Sequence, residues 1–432
     1  ELSEYPLAVT ERMLRFISTC TRRSAYLALL SENQGTRARM LDILNRSSWI
    51  TERLIEMPAL LDELLTLNAD EAVLTRDEIG QELSMRLQRV DPEDPEQLTE
   101  TLAQFARGLA FRVAVFEVRQ AIPLMRVSDQ LTWIAEAVVI EVVHHAYGEA
   151  IVEHGGQARM QLDDADALGL AVLGYGKLGG IEMSYGSDLD VVFVHDIDPD
   201  RLTDGAQPIE GGIFLNRVVR RVIALLETTT RFGKLYEIDT RLRPSGRSGL
   251  MVVGLFALEK YLDESAWTWE LQAFVRARPV AGDQGLQSSL AQLRKSILIR
   301  ARDRDRLLQD VVAMRDKMRT HLGSPDDEPR FDLKHDRGGI VDIEFMVQYL
   351  ILAHADTHPE LAAYTDNIRQ LDALANVGCM TAADADALKT IYVRYRALNH
   401  EAILAGQHGR VDREDVADER QLVSRYWAKW MN

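Results

Sequence analysis

Two aspartates one residue apart stand at the head of an apolar segment, and this pair carries the strongest chemical signal in the sequence. Asp188 and Asp190 lie in "GSDLDVVFVHD", where β-branched and apolar residues predict a strand. Residues two apart on a strand point to the same face, so the two carboxylates are expected side by side. Adjacent carboxylates resist ionisation unless a cation lies near, and Mg²⁺ prefers oxygen ligands that it shares with substrate phosphates. The pair therefore predicts metal-assisted chemistry on a phosphate compound.

A third acid and two arginines follow in "KLYEIDTRLRP", a segment that predicts another strand. Asp239 lies in its polar-facing register and is expected to complete a two-metal site. Arg241 and Arg243, two and four residues further on, would share that face and neutralise triphosphate oxygens. Taken singly, Asp-x-Asp also occurs in solvated loops, and the two arginines are compatible with surface charges. The combination favours a site for metal and nucleotide.

Glycines before the first aspartate allow a second interpretation, a dinucleotide-binding fold. Gly174, Gly176 and Gly179 fit the pattern Gly-x-Gly-x-x-Gly after a predicted strand, and Asp196 stands where a ribose-binding acid belongs. That fold requires a full helix between the glycines and the next parallel strand. The intervening "GIEMSYGSD" is too short for such a helix, and its glycines would weaken one. The metal and nucleotide interpretation is therefore favoured.

The same glycine-rich segment supplies candidates for phosphate binding. Glycine allows backbone N–H groups to approach phosphate oxygens closely. We therefore expect Gly179, Gly180 and Ser187 to donate hydrogen bonds to a triphosphate. Lys177 is a further candidate, although a solvated loop charge explains this lysine equally well.

The elements around this segment predict an α+β protein that is mostly α-helical. Residues 1–165 show apolar spacings of three and four residues, which predict a helical region interrupted by prolines. Residues 166–284 combine short apolar strands, among them "GLMVVG", with the amphipathic helix "GGIFLNRVVRRVIALLETTTRFG", for which Gly233 is the expected C-cap. Residues 285–432 are helical again, so we expect three domains with these limits.

Composition excludes several classes of protein. The chain of 432 residues carries a net charge of -17, which disfavours nucleic acid as the main substrate because phosphates must be neutralised by basic residues. No apolar run approaches the roughly 20 residues of a membrane span. The 2 cysteines, Cys20 and Cys379, predict neither a disulfide framework nor a thiolate metal site, and a cytoplasmic location is expected. The chain begins at Glu1 rather than Met, so we expect it to be part of a longer protein.

Two further motifs resemble metal sites only at first sight. Glu141 and His144 form Glu-x-x-His on a predicted helix, but di-iron bundles require a second copy of this motif, which the sequence lacks. Asp342 and Glu344 lie two apart in "GGIVDIEFMVQ", a predicted helix on which such residues face different directions. We interpret the first pair as packing or surface residues and the second as structural or inter-domain contacts.

The pattern of Gly179, Gly180, Asp188, Asp190 and Asp239 resembles that of the nucleotidyltransferases of the DNA polymerase β superfamily. Their pattern is a glycine pair, a gap, Asp-x-Asp on a strand, and a third acid on a later strand. This resemblance implies a polymerase β-like α/β core, flanked by a helical N-terminal region and a C-terminal helical bundle.

A longer resemblance runs in order over most of the chain, through "GYGKLGGIEMSYGSDLDVVFVHD", "YEIDTRLRPSGRSGLMV", "ESAWTWELQAFVRARPV" and "RGGIVDIEFMVQ". These segments look like the glutamine synthetase adenylyltransferase family, whose members have two similar halves. One half attaches AMP to a tyrosine of glutamine synthetase, and the other removes it by phosphorolysis. Residues 174–180, 185–190 and 239–246 match the attaching half.

This family resemblance implies an enzyme that transfers AMP from ATP and releases pyrophosphate. It implies two Mg²⁺ ions held by Asp188, Asp190 and Asp239, and it implies glutamine synthetase and the signalling protein PII as partners. Two alternatives remain open. One is the removing half or a PII uridylyltransferase-like enzyme, and the other is a regulatory module that binds nucleotide without turnover.

Overall fold

The computed structural model describes residues 5–20, 24–66, 73–91, 94–156, 168–325 and 328–432. The N-terminal part is helical, as the apolar spacing predicts. Its helices are α1 (Leu7–Thr19), α2 (Ser24–Glu32), α3 (Gln34–Arg46), α4 (Ser48–Glu56), α5 (Leu60–Thr66), α6 (Arg76–Leu87), α7 (Pro95–Val118) and α8 (Leu124–His154).

The chain divides into two compact units. The first unit consists of Glu1–Ile134, Thr229–Gly233 and Ala397–Arg410. The second unit consists of Ala135–Thr228, Lys234–Arg396 and Val411–Asn432. Within the first unit, α1 packs on α3 and α4, while α7 packs on α5 and α6. The Ser47 hydroxyl caps the N-terminus of α4 by accepting a 3.1 Å hydrogen bond from the Ile50 N–H. The same hydroxyl donates to the Leu404 carbonyl at 2.7 Å. The domain limits predicted near residues 165 and 284 stay a prediction.

Short strands and helices alternate after α8. In chain order they are β1 (Leu170–Gly174), α9 (Gly176–Gly179), β2 (Leu189–His195), α10 (Gly211–Glu227), β3 (Thr229–Thr230), β4 (Gly233–Lys234), β5 (Ile238–Asp239), β6 (Val252–Gly254), α11 (Leu255–Glu264), α12 (Thr268–Val275) and β7 (Arg278–Gly282). A 3₁₀ turn at Gly246–Ser248 lies between β5 and β6.

A mixed five-stranded sheet holds this region together. Four of its strands lie in the order β5-β2-β1-β7, and β1 is antiparallel to both β2 and β7. Two short strands share the free edge of β2, both in parallel register. β5 pairs with the beginning of β2 at Leu189 and Asp190, and β6 pairs with its end at Phe193–His195. The beginning of β2 and the whole of β5 therefore lie side by side.

A buried apolar core keeps this sheet rigid. Leu173 of β1 and Val192 and Val194 of β2 pack with Phe274 of α12 and with a buried leucine, Leu290. Burial of one such side chain contributes about 1.5–3 kcal/mol relative to exposure. Because the apolar residues fix the strands, the polar residues at the strand ends have fixed positions as well.

The C-terminal part is mostly helical, as predicted. Its elements are α13 (Gln284–Leu298), α14 (Arg304–Leu322), β8 (Arg330–Asp332), α15 (Ile340–His354), α16 (Asn367–Asn376), α17 (Ala382–Leu404), β9 (Arg410–Asp412) and α18 (Ala417–Trp430), with 3₁₀ turns at Pro359–Ala362 and Arg413–Val416. The most apolar helix, α15, is buried by α12, α14, α16 and α18. None of the described helices, α15 included, has the length and apolar composition that a bilayer crossing requires. Cys20 and Cys379 are free thiols.

Three local predictions differ from the structure. The predicted C-cap at Gly233 is wrong, because α10 ends at Glu227 and Gly233 lies in the short hairpin of β3 and β4. The strand predicted in "KLYEIDTRLRP" is reduced to Ile238–Asp239, because the chain turns immediately after Asp239. The strand Arg278–Gly282 was not predicted, because its proline is untypical of strands and is tolerated here at the edge of the sheet.

Candidate active site

Three carboxylates meet where β2 and β5 lie side by side. The parallel register pairs Asp190 directly with Asp239, and Asp188 stands one residue before β2 begins. One carboxylate oxygen from each of the three lies within 4.8 Å of those of the other two. The structure thus brings together the three acids that the sequence predicted to be neighbours. Their role as metal ligands stays a prediction.

The electrostatics of this cluster fit a site for a hard divalent cation. Burial, together with the negative charges of Asp188 and Asp239, raises the pKa of Asp190 to about 6. The positive charges of Lys334 and Lys177 act in the opposite direction. Three oxygen donors that disfavour one another's ionisation are the donor set that Mg²⁺ would stabilise.

Position 176 requires a glycine, because the backbone there lies in close contact with one of the three acids. It begins α9 with a φ of +52°, a conformation that residues with a side chain rarely adopt. A Cβ atom at this position would lie 2.3 Å from Asp190 Oδ2, which is far inside van der Waals contact. The preceding residue, Tyr175, donates its N–H to the Asp190 carbonyl at 2.8 Å. The beginning of α9 is thereby fixed against the acid cluster.

Gly179 and Gly180 pack against Arg276, and phosphate contact by this glycine pair stays a prediction. Their N–H groups already donate to the carbonyls of Tyr175 at 2.8 Å and Gly176 at 3.1 Å. A Cβ atom at Gly179 would lie 2.1 Å from the Arg276 carbonyl, and one at Gly180 would lie 2.3 Å from Arg276 Nη2. The glycine pair therefore allows close packing against Arg276, and the expected free amide donors for phosphate are not available in this structure.

Lys177 and Ser187 lie together beside the acids. The Lys177 ammonium donates to the hydroxyls of Ser184 at 3.2 Å and Ser187 at 3.3 Å, and the two hydroxyls are 2.9 Å apart. Burial, together with the positive charges of Lys334 and Arg396, lowers the pKa of Lys177 to about 8. Since no carboxylate hydrogen-bonds this ammonium among the described residues, it is placed to meet an incoming anion. Nucleotide contact by Lys177 and Ser187 stays a prediction.

Arg241 and Arg243 differ from each other in their surroundings. The assumption that both continue the strand is wrong, because β5 ends at Asp239. The exposed Arg241 nevertheless pairs with Asp239, with Nε 2.7 Å from Oδ2. Arg243 is buried and donates to the Thr240 carbonyl at 2.8 Å and the Gly249 carbonyl at 3.3 Å. Arg243 therefore holds its own loop, and Arg241 contacts the acid cluster. Nucleotide contact by either arginine stays a prediction.

Lys334 is a cation of this site that the sequence did not single out. It lies in the turn before α15, exposed, and its charge acts on both Asp190 and Lys177. Asp332 fixes the turn by accepting the N–H groups of Lys334 and His335, each at 2.9 Å. Lys334 stands in the segment "KHDRGGIVDIEF", but spacing along the chain alone places no residue of that segment near Asp190.

A buried ionic network ties this turn and α15 to the glycine-rich segment. Arg276 is 4% exposed and pairs with Glu182, itself 2% exposed, and with Glu344 at 2.7 Å. Tyr392 donates to Glu182 at 2.6 Å. Asp342 pairs instead with the buried Arg315 at 2.5 Å. The prediction that Asp342 and Glu344 make structural contacts is confirmed.

Glu141 and His144 lie on α8, and neither residue belongs to the acid cluster. Glu141 is partly buried and His144 is exposed. Burial raises the pKa of Glu141, which is the ordinary behaviour of an isolated carboxyl group at a packed helix surface.

Comparison with known proteins agrees with the pattern of this site. The sequence model of the glutamate–ammonia ligase adenylyltransferase family matches residues 37–293, which is more than half of the chain. The chain belongs to this family. Glutamate–ammonia ligase is another name for glutamine synthetase. The matched residues contain all three acids, the glycine-rich segment and Arg276.

Curated relatives carry the corresponding name, bifunctional glutamine synthetase adenylyltransferase/adenylyl-removing enzyme. The chain is 43% identical to the proteins of Pseudomonas putida and Hahella chejuensis, and it is 41% identical to that of Acinetobacter baylyi. These matches cover 97–99% of the chain but only 44–46% of each relative. The chain thus spans somewhat less than half the length of these relatives.

A second family model matches further along. The model described as GlnD PII-uridylyltransferase matches residues 306–409, which include Lys334, Glu344 and Tyr392. The two matched ranges do not overlap. The residues that surround the acid cluster therefore come from both.

Proposed function

We propose that this chain transfers AMP from ATP to a tyrosine of glutamine synthetase and releases pyrophosphate. The observation that carries the proposal is the set of three carboxylates within 4.8 Å of one another on two paired strands. The names of the relatives, which combine attachment and removal of an adenylyl group, supply the substrates. The matches at residues 174–180, 185–190 and 239–246 favour attachment.

In this proposal Asp188, Asp190 and Asp239 hold two Mg²⁺ ions. When bound, the metal neutralises phosphate charge and lowers the pKa of the attacking hydroxyl. The tyrosyl oxygen bonds to the α-phosphorus as the bond to the α–β bridging oxygen breaks, the phenolic proton is lost, and pyrophosphate leaves. Since little covalent chemistry falls to the protein, its contribution is positioning and charge.

The cations around the acids act on the triphosphate. Lys177 and Lys334 approach the cluster from two segments, and we propose that they bind the β- and γ-phosphates together with the Ser187 hydroxyl. Arg241 pairs with Asp239 when no cation is bound, and it is exposed enough to move to a phosphate oxygen. Arg243 acts indirectly by holding the loop that follows Asp239.

Removal of AMP by phosphorolysis is the second candidate. It is supported by the relatives' name, which includes both activities. Both reactions need a cluster of carboxylates around a phosphorus centre, so the acids alone do not separate them. The match to a PII-uridylyltransferase model further supports PII as a regulatory partner. We also propose a cytoplasmic location, because ATP is the donor and the two cysteines are free thiols.

The test is the intact mass of glutamine synthetase after incubation with this chain, ATP and Mg²⁺. One added AMP per subunit is expected. The variant Asp190→Asn removes one carboxylate without a change of size and is expected to give no product. The matched control is Asp200→Asn, which removes an exposed carboxylate outside the cluster and leaves the product unchanged.

Two other outcomes have distinct meanings. Loss of AMP from adenylylated synthetase in the presence of phosphate, without attachment from ATP, would show that this chain removes the group. Binding of ATP without either reaction would favour a regulatory module.

A further inference from the structure

A cavity of about 670 Å³ lies between the end of α14 and the beginning of α18. Residues from the segment after α14 and from the turn before α15 close its sides. The lining residues are Arg319, Thr320, Gly323, Ser324, Pro325, Asp336, Arg337, Arg413, Ala417, Arg420, Gln421 and Ser424. None of them belongs to the acid cluster or to the cations around it.

The lining of this cavity is strongly basic. It contains four arginines, Arg319, Arg337, Arg413 and Arg420, and one carboxylate, Asp336. The protein as a whole has a net charge of -17, so this concentration of positive charge runs against its composition. Repulsion among neighbouring guanidinium groups disfavours such a cluster unless an anion offsets it.

The one carboxylate of the lining is already used by the backbone. Asp336 Oδ1 accepts the Ser324 N–H at 2.6 Å, and Oδ2 accepts the Asp332 N–H at 2.9 Å. Arg413 approaches Asp336 only to 3.7 Å. Asp336 therefore holds the wall of the cavity in place. Asp316, which lies outside the lining, pairs with Arg319 at 3.2 Å, so the two carboxylates offset at most two of the four positive charges.

Several donors in the wall lack a hydrogen-bond partner among the described residues. They are Nε of Arg413, Nε of Arg420 and the hydroxyl of Ser324, all with their polar atoms buried. A buried donor without a partner costs about 1–3 kcal/mol. Arg337 is exposed at the rim, while the guanidinium of Arg420 is held over the Phe331 ring at 4.7 Å. The wall is therefore preorganised, with donors that remain to be satisfied.

We propose that this cavity binds a compact oxyanion with two or more negative charges. Guanidinium groups bind the paired oxygens of phosphate and carboxylate through two parallel hydrogen bonds, and four of them match more than one such group. The volume lies within the range of about 300–1,000 Å³ typical of sites for small ligands. This inference stands whether or not the proposed transfer reaction is correct.

Titration calorimetry of the whole chain with pyrophosphate, and separately with citrate, tests the proposal. Both titrations are done on protein freed of metal with a chelating resin, because without metal the acid cluster repels anions and no dissolved polycarboxylate chelator competes for the cavity. Saturable binding of one anion per chain is expected. Tighter binding of pyrophosphate assigns the cavity to phosphate compounds, and tighter binding of citrate assigns it to carboxylates.

The variant Arg319→Gln/Arg337→Gln removes two charges from the cavity and is expected to weaken binding at least tenfold. The control Arg39→Gln/Arg89→Gln removes two exposed arginines elsewhere and is expected to leave the Kd unchanged. Arg337→Gln alone is a second variant, and because this side chain is exposed, its folding is expected to be intact. A threefold or greater loss of affinity in Arg337→Gln supports the proposal.

Two results would overturn it. The first is equal affinity in the two double variants, and the second is no saturable binding of either anion to the wild-type chain.

Discussion

At the scale of single residues, Lys177 shows how the site holds a charge that folding alone would not favour. Its ammonium is hydrogen-bonded only by hydroxyls among the described residues, Ser184 and Ser187, and burial lowers its pKa to about 8. A buried ammonium without a carboxylate in contact destabilises the folded state. This arrangement is expected where the missing negative charge comes from a substrate.

The pH dependence of stability follows from this lowered pKa. Between about pH 8 and 10.5 the unfolded chain keeps the Lys177 proton that the folded chain has lost, so the wild type gains stability as the pH rises. We expect Lys177→Met to be more stable than the wild type at pH 7, and this advantage to shrink by about 1–2 kcal/mol at pH 9.5. Urea unfolding at both pH values measures it, with the exposed Lys260→Met as control. An advantage that is constant with pH would contradict the assignment.

Gly176 is the second residue whose identity the site requires. In Gly176→Ala the new methyl group would meet Asp190 Oδ2, whereas Gly186 has a similar φ of +72° and no atom within 4 Å of the position that its methyl group would take. Both alanine variants are expected to lose about 1–2 kcal/mol of stability through backbone strain. Only Gly176→Ala is expected to lose more than tenfold in transfer rate. Equal rates in the two variants would show that this contact does not position Asp190.

At the scale of elements, the ionic network of Arg276 joins three segments that are distant in sequence. It lies between α12 and β7, while Glu182 follows α9 and Glu344 stands on α15. Each of the three is largely removed from water. Buried ion pairs add little net stability compared with apolar residues, but the loss of one partner is expensive.

Substitution of Arg276 alone is therefore expected to be severe. Arg276→Met removes the guanidinium that pairs with the buried Glu182 and leaves Arg396 as the arginine whose charge acts on this carboxylate, and a loss of about 3–5 kcal/mol in the free energy of unfolding is expected. The double variant Arg276→Met/Glu182→Met should recover at least about 1 kcal/mol of that loss, because the unpaired charge is gone. The exposed pair of Arg46 and Asp42 is the control, since Arg46→Gln is expected to change stability by less than about 0.5 kcal/mol. Additive effects of the two methionine substitutions would contradict the coupling.

At the scale of the whole chain, the cations around the acids come from segments far apart in sequence. Asp190 and Lys334 are joined only by the fold, through the turn that Asp332 fixes before α15. Asp190 lies in the part of the chain that the first family model matches, which ends at residue 293. Lys334 lies in the part that the second model matches, which starts at residue 306. The C-terminal helices are thus part of the candidate active site as well as its support.

Lys334→Ala tests this contribution. Loss of one charged contact to a phosphate is expected to cost about 1.5 kcal/mol, which corresponds to a roughly tenfold fall in kcat/KM for ATP. The melting temperature should be unchanged, because the side chain is exposed. The control is Lys317→Ala, an exposed lysine of the neighbouring α14. If the two variants have the same kcat/KM, Lys334 does not contact the triphosphate.

The sequence by itself determined the fold class and the three acids of the site. The identification of Asp188, Asp190 and Asp239 depends on residue type and on a two-residue period, which are local properties of a strand. The apolar strands and amphipathic helices are equally local, so the mostly helical α+β class could be predicted. Predicted strand ends were less accurate, because β5 stops where a turn begins rather than where the pattern ends.

Only the tertiary structure decided which cations surround those acids. The structure packs Gly179 and Gly180 against Arg276 and directs Arg243 to the carbonyls of its own loop, neither of which follows from the spacing of these residues. Lys334 entered the site although more than a hundred residues separate it from Asp190. Such contacts arise from the packing of distant segments, whose relative positions depend on the burial of the whole core and leave no periodic pattern in the sequence.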